Sequence, residues 1–314
     1  MSNFKQLLQQ SFKSSDTEEW LDVHFTRPVG LLFAMFWMKL NVHPNVVTII
    51  GMFLGMAAGY NFYFTDLGHN ILACVLLIFA DLCDSTDGQM ARITGKKTLI
   101  GRMLDGFASD MWFVCIYLAI IFRLWNQFIP FTDINWGIYG FLLCAVAGIL
   151  CHSRQSALAD YYRQIHLYFL LGKEGSELDN YVSQRAIYEG LPKKGAFWGR
   201  AFYYNYANYC KTQEKMSPQF QKLSKELTAK YGGVENYPQE LREDFRKGSR
   251  PLMKYTNILT YNVRAIALYI SALLNLPFLY PLFEIVVLTT LFVYMHRTHE
   301  SLCAEMRRKY IECK

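Results

Sequence analysis

Apolar residues fall in long blocks along this chain, and polar residues gather between them. A helix that crosses a bilayer core needs roughly 20 apolar residues. Six stretches qualify, at 44–65, 69–92, 99–124, 136–158, 256–276 and 279–296. The pattern predicts an all-α polytopic membrane protein with six transmembrane helices. Ahead of the first span, RPVGLLFAMFWMKL at 27–40 is apolar on most sides but too short to cross, which predicts an N-terminal interfacial helix. Residues 159–250 lose the long apolar runs yet keep helical signals, with Ser217-Pro218 as a cap and first-turn pair opening QFQKLSKELTAKY. They predict a cytoplasmic helical insertion. Within it, GAFWGRAFYYNYANYCK mixes rings with cations, as a segment at headgroup depth would, or a helical hairpin packed on itself. The chain thus divides into an N-terminal segment 1–40, a transmembrane half 41–158 holding spans 1–4, the insertion 159–250, and 251–314 with spans 5–6 and a basic tail.

Composition agrees with this layout. Of 314 residues 52% are apolar and only 18% charged, which excludes a pair of ordinary soluble domains. The net charge of +6 is not gathered in a nucleic-acid-like stripe, so no nucleic acid partner is expected; basic residues lie beside the apolar segments and read as topology signals and contacts with membrane lipids. Lys5, Lys13 and Arg27 precede the first span, Arg92, Lys96 and Lys97 lie between the second and third, and Arg297, Arg307, Arg308 and Lys309 follow the last. The connections at 65–69, 126–135 and 274–281 carry no Lys or Arg. Both termini are therefore expected on the cytoplasmic side of the cell membrane. MSNFKQLLQQSFKSSDTEEW lacks the short apolar stretch of a cleavable signal peptide, so the first span is expected to direct insertion. Eight cysteines without CxxC spacing, mostly inside apolar runs, imply neither disulfides nor a zinc site.

The chemistry concentrates in FADLCDSTDGQMARITGKKTLIGRMLDGFASD, residues 79–110. Asp81, Asp84 and Asp87 fall near the end of one span, and Asp105 and Asp110 near the start of the next. Ionised carboxylates at membrane depth cost on the order of 2.5 to 3.5 kcal/mol each, and clustering one sign compounds the cost. Carboxylate oxygens facing one another across two helices are the ligand set of a hard divalent ion. Asp84 and Asp87 at i and i+3 share a helix face, and the turn TGKK brings Asp105 opposite them. Gly88, Ala91 and Gly101 leave room for a ligand or a close helix crossing.

Asp84-x2-Asp87-Gly88-x2-Ala91-Arg92-x8-Gly101-x3-Asp105 resembles the signature of the CDP-alcohol phosphotransferases, DxxDGxxARx8GxxxDxxxD. His43-Pro44-Asn45-Val46-Val47-Thr48 resembles that family's PNxxT opening of the first span, adding Asn45 and Thr48 to the site. The resemblance implies a homodimer that moves a phospho-alcohol from a CDP-alcohol donor to a lipid or polyol acceptor in lipid biosynthesis and releases CMP. It implies Mg²⁺ or Mn²⁺ on Asp84, Asp87 and Asp105, with Gly88, Ala91 and Arg92 on the nucleotide side. One position departs from the signature: the fourth aspartate is Ser109 here. In the family that carboxylate draws the proton from the acceptor and serves a second metal.

Helix register suggests a replacement. Asp81 lies one turn deeper than Asp84, about 4.5 Å, and Ser109 lies about 6 Å deeper than Asp105 on the facing helix. Asp81 is therefore the expected general base or extra metal ligand, with Ser109 positioning the acceptor or a water. Asp110 is turned about 140° from Asp105 and is expected to point away. Arg102, His152 and Arg154, at cytoplasmic depth, are expected to bind an anionic substrate group. His296 and His299 share a helix face without acidic companions, and no metal role is expected of them. Two further readings are phosphoinositol or similar head-group transfer onto a ceramide-type lipid, and a silent relative that binds nucleotide or lipid without turnover.

Overall fold

The computed structural model describes residues 4, 6–8, 14–96 and 98–312, and every regular element among them is helical. Lys5, Lys13, Lys97 and Cys313 lie outside the described residues. In chain order the α-helices are α1 (Arg27–Lys39), α2 (Pro44–Asn61), α3 (Leu67–Thr94), α4 (Leu99–Leu124), α5 (Gly137–Ala145), α6 (Ser153–Leu171), α7 (Tyr181–Gly190), α8 (Phe197–Met216), α9 (Pro218–Tyr231), α10 (Gln239–Ser249), α11 (Met253–Ile258), α12 (Tyr261–Leu273), α13 (Leu279–Phe283) and α14 (Thr289–Arg307). Wider π-helical turns occupy Asp22–Thr26, Val146–His152, Glu284–Leu288 and Arg308–Glu312.

Four helical runs are long and apolar enough to cross a membrane, Leu67–Thr94, Ile100–Leu124, Gly137–Leu171 and Leu279–Glu312. The chain is an integral membrane protein. The helices at the expected first and fifth spans, α2 with 18 residues and α12 with 13, are not among the four. The fourth and sixth helical runs continue past 158 and 296, where the apolar stretch ends but helix-forming residues do not.

The chain forms two compact units, residues 1–153 with 261–288, and residues 154–260 with 289–314. In the first, α2 packs closely on α3 and α4 because one of its faces carries Gly51, Gly55 and Gly59. A Cβ on Gly55 would lie 2.1 Å from the Trp112 ring, and one on Gly59 would lie 2.6 Å from Cys115. Buried Ala58, Leu77, Trp112, Ile116 and Ile120 continue this core. At the far end of α4, Arg123 is buried and donates to the carbonyl of Phe62 at 2.9 Å, to Asn70 Oδ1 at 2.8 Å and to Asn275 Oδ1 at 2.5 Å. One guanidinium thereby ties the end of α4 to two connections and the first turn of α3. Helix α1 lays Gly30, Leu31 and Ala34 against α3, and Gln89 Nε2 donates to the Arg27 carbonyl at 3.1 Å.

In the second unit α9 and α10 pack against α14. Phe169 stacks on Phe245 at 3.8 Å, and Tyr162 on His299 at 3.7 Å. Pro218 opens α9 at its first position, as expected. Ser217 does not cap it: its hydroxyl donates back to the Gln213 carbonyl at 2.8 Å, and Glu300 Oε2 accepts from the Gln219 amide at 2.7 Å instead. A carboxylate from a packed neighbour, worth more at a helix N-terminus than a neutral hydroxyl, has taken the capping role. Glu300 also gives His299 of α14 an acidic companion, since ligand atoms of His299, Glu300 and Cys303 lie within 4.8 Å of one another.

Candidate active site

The turn that folds α4 back along α3 rests on two local signals. Gly95 ends α3 in the left-handed region at φ 68°, where a side chain would be strained. Thr98 caps α4 by accepting from the Gly101 amide at 2.9 Å. The first of the three helices begins as tightly: Pro44 takes the first position of α2, and His43 Nδ1 accepts from the Asn45 amide at 3.2 Å.

These ends bring three carboxylates together. Asp84 and Asp105 are neighbours across α3 and α4, and the charges that act on Asp84 are those of Asp105, then Asp87, then Asp81. Asp87 is only 6% exposed, with Thr48 and Arg92 as its polar neighbours. Its Oδ2 is buried and has no hydrogen-bond partner. Asp84 is half-buried and Asp105 reaches the surface, so the cluster is open on the Asp105 side. Three carboxylates from two helices, one oxygen of them orphaned, have the all-oxygen chemistry that suits a hard divalent cation such as Mg²⁺ or Mn²⁺, although their oxygens do not all lie within 4.8 Å of one another.

The small residues hold the surrounding groups close. A Cβ on Gly101 would fall 2.9 Å from Asn45 Oδ1, so this glycine lets the Asn45 side chain lie against α4. Arg92 folds back over Gly88, its guanidinium 3.5 Å from where a Cβ would stand. Thr48 is buried and donates to the Pro44 carbonyl at 3.3 Å, and Ala91 is half-buried on α3. Asn45, Thr48, Asp84, Asp87, Gly88, Arg92, Gly101 and Asp105 thus form one neighbourhood.

Other expected residues make their remaining contacts elsewhere. Asp81 is acted on by the carboxylates of Asp22 and Glu19, and Asn262 Nδ2 donates to Glu19 Oε2 at 2.8 Å and Asp22 Oδ1 at 3.0 Å. Ser109 donates within its own helix, to the Asp105 carbonyl at 3.5 Å, and no hydrogen bond joins it to Asp81 among the described residues. Arg102 is exposed on α4, and Arg154 is exposed at the start of α6 in the second unit. Asp110 is exposed and has His152 as a titratable neighbour.

His152 proves to be half of a larger feature that sequence reasoning missed. Glu284, wholly buried, accepts from Tyr280 Oη at 2.8 Å and His152 Nδ1 at 3.1 Å, and also from Arg264 and Tyr117. Arg264 is 1% exposed. A signal for both was present, since an ionisable residue inside an apolar run marks function by default.

Residues 41–166 match the family model described as CDP-alcohol phosphatidyltransferase. Among curated relatives, an archaetidylinositol phosphate synthase from Pyrococcus horikoshii is 41% identical over 67 residues, 21% of this chain and 34% of the relative. An uncharacterised protein from Aquifex aeolicus is 43% identical over 70 residues, 22% of this chain and 34% of that protein. The chain therefore spans about a third of the length of the curated relatives it matches.

Proposed function

We propose that this protein is a membrane phosphotransferase of lipid biosynthesis that moves a phospho-alcohol group from a CDP-alcohol donor to an acceptor hydroxyl, releasing CMP. The observation that carries the reading is the proximity of the Asp84, Asp87 and Asp105 charges, with the buried Asp87 Oδ2 lacking a hydrogen-bond partner. Asp84, Asp87 and Asp105 hold the divalent cation. When bound, Mg²⁺ or Mn²⁺ offsets the diphosphate charge and stabilises the leaving group. Arg92, braced over Gly88, adds a second positive group on the nucleotide side, Asn45, Thr48 and Gly101 line the same neighbourhood, and Ala91 is assigned to the nucleotide side with them.

In the reaction the acceptor oxygen attacks the phosphorus nearest the donor alcohol. The bond from that phosphorus to the bridging oxygen breaks, its electron pair leaves with CMP, and the hydroxyl proton passes to a base. Asp81 stands on the acceptor side as that base or as an added ligand, with Ser109 and Arg102 toward the acceptor. Six spans, an interfacial α1, a site opening to the cytoplasm and a homodimer complete the proposal. The test is to incubate the purified full chain with Mg²⁺ or Mn²⁺ and a panel of CDP-alcohols and acceptors. Metal-dependent CMP release with a new phosphodiester detected by mass supports it, and failure of every pair to release CMP refutes it.

A further inference from the structure

Glu284 and Arg264 lie beyond residue 166, outside the part of the chain that matches the family model. Their arrangement with His152 sits within the first unit. Every hydrogen-bonding contact of His152 is made at Nδ1: Glu284 Oε1 at 3.1 Å, Arg264 Nη1 at 3.2 Å and Tyr117 Oη at 3.4 Å. The last two crowd that nitrogen because they converge on the same carboxylate. A carboxylate only accepts, so Nδ1 carries the hydrogen and Nε2 presents the lone pair. Among the described residues no group pairs with Nε2, and the side chain is 16% exposed. An imidazole anchored through one nitrogen by a buried carboxylate, with the other left bare, is oriented for a ligand.

The backbone supports the same conclusion independently. His152 ends the π-helical turn Val146–His152, and Glu284 begins the π-helical turn Glu284–Leu288. Such turns re-aim side chains and concentrate at functional sites.

What His152 can recognise follows from its surroundings. The Arg264 charge is balanced by Glu284, so the network offers no spare cation. Outside the network, the charge that acts on His152 is that of the Asp110 carboxylate. A lone pair beside a carboxylate attracts a hydrogen-bond donor and repels phosphate. The His152 ring lies 4.3 Å from that of Phe113, which follows Asp105 by eight residues, about 12 Å along α4. His152 is therefore suited to a group on the acceptor other than the hydroxyl that attacks beside Asp105. We propose that His152, held by Glu284, recognises through Nε2 a second neutral donor group on the acceptor, so that the acceptor is an unphosphorylated polyol or a ceramide-type lipid. Hydroxyl and amide N–H supply the same chemistry, and Glu284, Arg264 and Tyr117 act as positioning residues. This rests on the phosphotransferase reading above.

The experiment uses the full chain in nanodiscs with Mn²⁺ and reads CMP release. The first pairing is CDP-diacylglycerol with myo-inositol or with myo-inositol 1-phosphate. The second is CDP-ethanolamine or CDP-choline with ceramide or with diacylglycerol. Turnover with myo-inositol identifies a polyol acceptor, turnover with ceramide a lipid one, and both support the inference. His152→Asn keeps an N–H for Glu284 but removes Nε2; it is expected to raise the acceptor KM about tenfold and leave the donor KM unchanged. Glu284→Gln is expected to shift the same ratio in the same direction. Stabilisation of each variant by CMP with Mn²⁺ in thermal melts verifies that it folds. A preference for inositol phosphate or diacylglycerol, or equal changes in donor and acceptor KM, overturns the inference and leaves the phosphotransferase reading standing. Absence of CMP release from every pair overturns both.

Discussion

Two charged centres sit in the first unit, and they are built on opposite plans. At Asp84, Asp87 and Asp105 like charges are pressed together, and an oxygen is buried without a partner. At Glu284 one carboxylate gathers four donors, and its charge is balanced by Arg264. Burying an unbalanced carboxylate cluster is costly, whereas a paired and fully bonded one persists. The first centre is thus incomplete by itself and calls for a cation. The second is complete and serves to hold something else, the imidazole of His152.

If that contrast is right, the two centres respond differently to truncation. The largest effect is expected at the incomplete one: Asp84→Ala, Asp87→Ala or Asp105→Ala should each lower CMP release by about 10³-fold or more, because the cation supplies several kcal/mol to the transition state. Their thermal stability without metal should fall little or rise, since a like charge is removed. Glu284→Ala should do the reverse in emphasis. It removes the carboxylate that balances the buried Arg264 charge, and a loss of about 3–5 kcal/mol in unfolding measured in detergent is expected. A stable Glu284→Ala protein would break the comparison.

Smaller effects sharpen the role of the scaffold. Gly55→Ala places a methyl group against the Trp112 ring, at 2.1 Å before relaxation. A loss of about 1–3 kcal/mol from overpacking is expected, read by thermal unfolding. Thr98→Ala removes the cap of α4 beside the carboxylates. It should cost about 1 kcal/mol in the same assay, with only a modest fall in metal affinity.

The incomplete centre was legible in the sequence and the complete one was not. Asp84, Asp87 and Asp105 fall within one short stretch, where helical spacing and a single turn determine who faces whom. Pro44, Gly95 and Thr98 likewise act locally, and the helices begin and end where those residues indicate. His152 and Glu284 are 132 residues apart, and only tertiary packing joins them. The same holds for Asp22 and Glu19 beside Asp81, and for Glu300, which displaced Ser217 as the cap of α9. The spans were read from hydropathy alone, which finds the four long apolar runs; α2 and α12, broken by glycines or short, depend on their neighbours for their length and placement.

The central claim is that the carboxylate cluster is where cation and nucleotide meet, and Mn²⁺ binding to the purified full chain tests it without knowledge of the acceptor. Electron paramagnetic resonance should detect bound Mn²⁺ in the wild type, tighter binding when CMP is added, and loss of binding in the Asp84→Asn and Asp105→Asn variants. Equal Mn²⁺ binding in wild type and in the Asp84→Asn/Asp105→Asn double variant would contradict it.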